Sequence, residues 1–223
     1  MKLPYQIYKP AEIAMWTAMI ASWLASFFFY RAFPAEVPIH WNMAGQPDDW
    51  SGPGFAAFFF PAVITGIYLL MTLLPLADPQ KKRYMEFGRP YTILRLTLVL
   101  FMTMIYFVAS SAGIGYRIDM NLIMPFAVGS LFIVIGNFMP KFKKNWFVGI
   151  RTPWTLSDER VWTKTHRVGG RLFIVGGLLL MTTAFLPLWL RAPALLAAVA
   201  LVVFGTVGYS YFIWRKLKSE KTL

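Results

Sequence analysis

Six stretches of this chain, residues 13–30, 55–76, 96–116, 120–140, 172–190 and 192–214, contain no Asp, Glu, Lys or Arg. Each approaches or meets the roughly 17–25 residues that a helix needs to cross the bilayer hydrocarbon. No water satisfies backbone N–H and C=O groups there, so spanning segments of this length must be helical. The expected fold is therefore all-α, a polytopic membrane protein with six transmembrane helices. Charged residues make up 14% of the 223 positions, against roughly a quarter in soluble domains.

The cations alternate in number from one connection to the next. Nineteen lie before span 1, between spans 2 and 3, between spans 4 and 5 and after span 6; only Arg31, Arg117 and Arg191 lie on the other side. The positive-inside rule then places both termini and the 140–170 loop in the cytoplasm. The net charge of +12 reads as a collar facing anionic membrane lipids. These residues flank spans and form no separate basic domain, so direct nucleic-acid binding is not expected. There is no cysteine, which excludes disulfides, thiol catalysis and thiolate-bound metal. Span 1 is too long for a signal-peptide core and reads as retained.

Two regions are expected: residues 1–92, two spans with an outer loop, and residues 93–223, four spans with the cytoplasmic loop 140–170. Ala14, Ala18, Ser22 and Ser26 form a small-residue stripe on span 1 that suits close packing within the bundle. Pro125 should kink span 4 or mark its outer end, and a hairpin at residues 191–193 should join spans 5 and 6. Glu12, at the edge of span 1, reads as a favourable charge at a helix start. No span has an ionisable residue near its centre, which argues against a coupled carrier.

Residues 136–170 hold most of the remaining information. Asn137 and Pro140 end span 4, and Lys141, Lys143 and Lys144 follow at phosphate level. Asn145 precedes the interfacial aromatics Trp146 and Phe147. Gly149-Ile-Arg151-Thr152-Pro153-Trp154 reads as a fixed turn, since Gly149 permits unusual dihedrals and Pro153 keeps Thr152 extended. Thr155 or Ser157 would open a short helix running to about Thr165. That helix would lie on the inner membrane surface with Trp154 and Trp162 dipped in. Beside this structural reading stands a functional one, in which Arg151, His166 and Arg167 meet an anionic or peptide ligand, with His166 as a possible catalytic base.

The motifs Asn137-x-x-Pro140, Asn145-x-Phe-x-Gly149-x-Arg151-Thr-Pro-Trp154-Thr-Leu and Val161-Trp-x-Lys-Thr-His166-Arg167-x-Gly-Gly170 resemble the signature of the SdpI family of bacterial membrane proteins. The upstream Pro38-x-His40-Trp41-Asn42-x-x-Gly45-x-Pro47-Asp48 is similar to the uncharacterised domain that often precedes it. The resemblance implies a six-span protein of the bacterial cytoplasmic membrane that gives immunity to, or senses, a secreted membrane-active toxin peptide. It further implies signalling by capture of a soluble repressor at the membrane, and supplies no catalytic residues and no cofactor.

The outer loop is a second candidate binding face, through Pro38, His40, Trp41, Asn42 and Asp48. His40, Asp48 and Asp49 could approach one another, but three such residues without ligand spacing are a weak metal signal. The loop reads as a compact turn with Trp41 and Trp50 on the membrane surface and no metal. Its net charge of −2, Arg31 against Glu36, Asp48 and Asp49, suits a cationic peptide. The expectation is a non-enzymatic binding protein; the alternative is a membrane enzyme acting on a lipid-linked or phosphate-bearing substrate.

Overall fold

In the computed structural model, residues 3–220 are described; Lys2 and Lys221, two of the cations in the charge asymmetry, lie outside them. Six helices are long and apolar enough to cross a membrane. They are α1 (Lys9–Ala32), α2 (Pro53–Leu73), α3 (Gly88–Gly113), α4 (Met120–Phe138), α6 (Glu159–Thr182) and α7 (Leu188–Ser219). Prolines mark their starts: Pro10 and Pro53 occupy first-turn positions whose N–H groups have no helical partner. Asp119 caps α4 by accepting from the Asn121 N–H at 3.0 Å, and Pro140 closes it in a short 3₁₀ turn, Met139–Lys141.

The chain is mostly helical but not all-α. The expected compact turn between spans 1 and 2 is a β-hairpin of β1 (Val37–Trp41) and β2 (Pro47–Ser51), antiparallel with Val37 opposite Ser51 and Trp41 opposite Pro47. Asn42 builds its turn: the side-chain oxygen accepts from the Ala44 N–H at 2.9 Å and the Gln46 N–H at 3.2 Å. Pro125 lies in the second turn of α4 and the helix runs on through it. The expected hairpin at residues 191–193 sits instead at Leu186 and Pro187, with Arg191 and Pro193 inside α7. Each of these prolines stands at the sixth helical position and removes one ladder bond without ending its helix.

The short surface helix expected from residue 155 or 157 to 165 does not stand as a separate element. A five-residue helix, α5 (Pro153–Ser157), precedes it, and α6 then runs unbroken from Glu159 into the span. The first four turns of α6 are themselves two-faced: Arg160, Lys164, Arg167 and Arg171 are exposed while Val161, Trp162, Thr165 and His166 are buried. Trp162 is therefore packed inside the protein and not dipped into lipid.

Packing divides the bundle into α1–α2–α3 and α4–α6–α7. Ala18, Ser22 and Ser26 are buried on α1, as a stripe serving contacts within the bundle requires. The second group depends on glycine. A methyl group on Gly129 would lie 2.6 Å from the Gly177 carbonyl oxygen, and one on Gly136 would lie 2.6 Å from that of Gly170. These two pairs let α4 and α6 touch backbone to backbone, the approach that small residues permit in membranes. Large apolar side chains such as Ile13, Leu24, Phe28, Phe204 and Phe212 are turned outward, as a lipid-facing surface demands.

Candidate functional site

The two groups of helices are tied together at both ends. At one end, residues 142–158 fold over the start of α6. Asn145, fully buried, organises this segment. Its side-chain oxygen accepts from the N–H groups of Phe147 at 2.9 Å and Val148 at 2.7 Å. Its amide donates to the carbonyls of Lys143 and Val148, both at 2.9 Å. The Tyr84 hydroxyl, from the connection between α2 and α3, reaches Asn145 at 3.3 Å and Asp78 at 3.1 Å. Asp78 also accepts the Trp146 N–H at 3.0 Å. Burial, and after it the neighbouring Asp78 charge, pushes the Tyr84 phenol well above its usual range, so it remains a donor. Arg83 adds an ion pair to Glu159.

His166 is part of this knot. Its Nδ1 lies 2.8 Å from the Trp162 carbonyl, which can only accept, so Nδ1 carries the proton. Its Nε2 accepts the Ile150 N–H at 3.0 Å. The ring stacks on Trp162 with centroids 4.0 Å apart and is fully buried. Both nitrogens are occupied, which leaves no lone pair or proton for substrate. Gly149 lies against the ring at φ 114°, and a β-carbon there would overlap Nε2. Trp162 in turn donates to the Phe142 carbonyl at 2.8 Å.

Thr152 is the N-cap of α5 and forms a reciprocal capping box with Thr155, with Pro153 at the first helical position. Neither expected cap, Thr155 or Ser157, opens a helix: Thr152 caps α5, and Asp158 separately caps α6. Thr152 also bonds the Ser210 hydroxyl of α7 at 3.0 Å, and Trp154 packs on Tyr211 at 5.1 Å between centroids. Arg151 is exposed and donates to the Trp146 carbonyl at 2.7 Å. Arg167, Asn137 and Pro140 are exposed. The structure therefore joins buried Asn145, Thr152 and His166 in one scaffold, with half-buried Trp154 and exposed Gly149 and Pro153 at its surface. It does not gather Arg151, Arg167 and His166 around a shared pocket.

At the opposite end the hairpin tip docks on the second helix group. Asn121 donates to the Ala44 carbonyl at 2.9 Å, and Arg191 donates to Met43 and Leu186 carbonyls, each at 3.0 Å. Beneath the tip lies a cavity of about 420 Å³ that His40, Trp41 and Asn42 help to line. Asp48 stands outside it, 2.6 Å from His40 Nδ1, and Pro38 lines a smaller neighbouring cavity with Phe33 and Phe60. Among the described residues no group of three or more His, Cys, Asp or Glu could hold a metal ion.

A third polar centre, absent from the expectations, lies within the first helix group. Arg95, counted above with the loop cations, is inside α3 and 1% exposed. It donates to Glu12 at 2.7 Å and to Thr72 at 2.6 Å, while Tyr68 donates to Glu12 at 2.9 Å. Glu12 is thus a bridging residue and more than a helix-start charge. The available signal was a lone arginine flanked by Leu94, Leu96 and Leu98-like apolar neighbours one helix away from a lone glutamate.

Residues 141–210 match the model of the SdpI/YfhL protein family. This chain carries an SdpI-type region. Residues 17–65 match a domain of unknown function, DUF1648. Immunity protein SdpI of Bacillus subtilis (strain 168) is 28% identical over 202 residues, 90% of this chain and 94% of that protein. No solved structure matches. With six spans of sufficient length, the chain is a multi-pass bacterial membrane protein. The SdpI-type region contains the knot around Asn145 and His166, and the other match contains the hairpin. The cavity lies where the two meet, since Leu180, Thr183, Arg191 and Leu195 line it from the SdpI-type side.

Proposed function

We propose that this protein protects a bacterium against a secreted membrane-active toxin peptide. The observation that carries the reading is the similarity to Immunity protein SdpI along nearly the whole length of both chains. In this reading both termini and the knot face the cytoplasm, and the hairpin faces outward to meet the toxin. The cation asymmetry supports that orientation even after Arg95 is moved from a loop into α3. The knot end, with exposed Lys143, Arg151, Lys164, Arg167 and Trp146, is the surface on which a soluble repressor would be held. The enzyme alternative is the weaker one, because its acid–base candidate His166 has both nitrogens engaged.

The test is expression in a toxin-sensitive bacterium followed by challenge with a panel of membrane-active peptides. Raised survival against at least one member is expected; unchanged sensitivity to all of them removes the reading. Recruitment of a repressor is checked separately, by its shift from the soluble to the membrane fraction when this protein is expressed.

A further inference from the structure

We infer that the cavity beneath the hairpin is a binding site for the apolar side chains of a cationic peptide. The inference rests on the toxin-protection reading and names the part of the molecule that meets the peptide. At about 420 Å³, the cavity falls in the range of small-ligand sites, roughly 300–1,000 Å³. Met43, Met120, Met124, Val128, Leu180 and Leu195 supply most of its apolar wall, beside polar His40, Asn42, Asn121, Thr183 and Arg191. A lining that is mostly apolar with a few polar groups accepts apolar side chains. Three methionines can repack around side chains of different shape, which suits a segment with several apolar residues.

The charges at the mouth decide between a peptide and an anionic lipid. Arg191, the cation lining the cavity, points its Nε and Nη1 at the Leu186 and Met43 carbonyls and so holds the roof in place. His40 is paired with Asp48. Asp48, Asp49 and Glu36 are all exposed on or beside the hairpin. Adding Asp119, Arg31, Arg117 and Arg191 leaves this end of the molecule net acidic by one charge. These exposed acids on and beside the hairpin, above a mostly apolar hole, favour lysine-flanked apolar residues.

The probe is a dansyl-labelled, amidated Leu-Phe-Leu-Lys-Lys peptide, titrated into the full chain in phosphatidylcholine nanodiscs with empty discs subtracted. Saturable binding is expected. Met124→Trp and Leu195→Trp, which fill the cavity from α4 and from α7, should each weaken it at least about tenfold. Asp48→Asn with Asp49→Asn should weaken it by a few fold, and only at low salt. Should a filled variant elute as misfolded protein, Met43→Cys in this cysteine-free chain gives an independent reading, because bound probe should slow its labelling by a maleimide. Wild-type affinity in correctly folded filled variants, or unchanged labelling at saturating probe, overturns the inference. So does displacement of the probe by dansylundecanoic acid in preference to unlabelled peptide, which would assign the cavity to a lipid tail. In cells, equal protection by wild type and Met124→Trp removes the cavity and leaves the protective reading intact. Probe binding without any protection by wild type removes the protective reading alone.

Discussion

Asn145 has more depending on it than any other side chain in the 142–158 segment. It gives two backbone N–H groups their acceptor and two carbonyls a donor in a place water does not reach. Asn145→Ala strands the N–H groups of Phe147 and Val148, at about 1–3 kcal/mol for each buried group left unpaired. Asn145→Asp should be at least as damaging, since it loses both donors and sets a second carboxylate beside the Tyr84 hydroxyl that Asp78 already uses. Tryptophan-fluorescence melts in detergent check this, and a wild-type midpoint for Asn145→Asp would refute it. His166 and Gly149 form a coupled pair by the same reasoning. Gly149→Ala should cost less in a His166→Ala background than in wild type, because only the backbone strain of about 1–2 kcal/mol then remains.

At the scale of elements, the α4–α6 contact and the Glu12–Arg95 pair each depend on a feature that one helix alone cannot reveal. Gly136→Leu or Gly177→Leu must push the two backbones apart, and loss of monodisperse protein on size exclusion is expected. Gly208→Leu, with open space around its Cα, should leave the elution profile unchanged. For the ion pair, Arg95→Met leaves Glu12 short of its main partner within the bundle, a change worth roughly 3–5 kcal/mol where such pairs are buried. Arg95→Met combined with Glu12→Gln should restore part of that loss. A thermal double-mutant cycle measures the coupling, and strict additivity would show that the two residues act independently.

At the scale of the whole molecule, two helix groups are held together by a polar knot at one end and a docked hairpin at the other. The proposed orientation is open to a direct check because the chain has no cysteine. In intact cells Asp49→Cys should react with a membrane-impermeant maleimide, whereas Lys144→Cys should react only after permeabilisation. The reverse pattern would invert the molecule and detach the hairpin from any extracellular peptide. Both positions are surface-accessible to some degree, so labelling reports sidedness and not burial.

The sequence by itself determined the number of spans and approximately where they lie, because excluding charge from hydrocarbon is a local requirement that each segment must meet alone. It also determined the loop family, since the order from Asn145 to Gly170 is a contiguous pattern. Only the tertiary structure decided what those residues do. His166 reads as a free base until Ile150 and Trp162 occupy its two nitrogens from different directions. Arg95 reads as a loop cation until Glu12, 83 residues away, neutralises it inside the bundle. The hairpin was hidden because β1 and β2 are five residues each and too short for periodicity to show. Its partner surface comes from α4 and α7, distant in the chain. Long-range pairing of polar groups leaves no local trace, whereas the membrane imprints itself on every span.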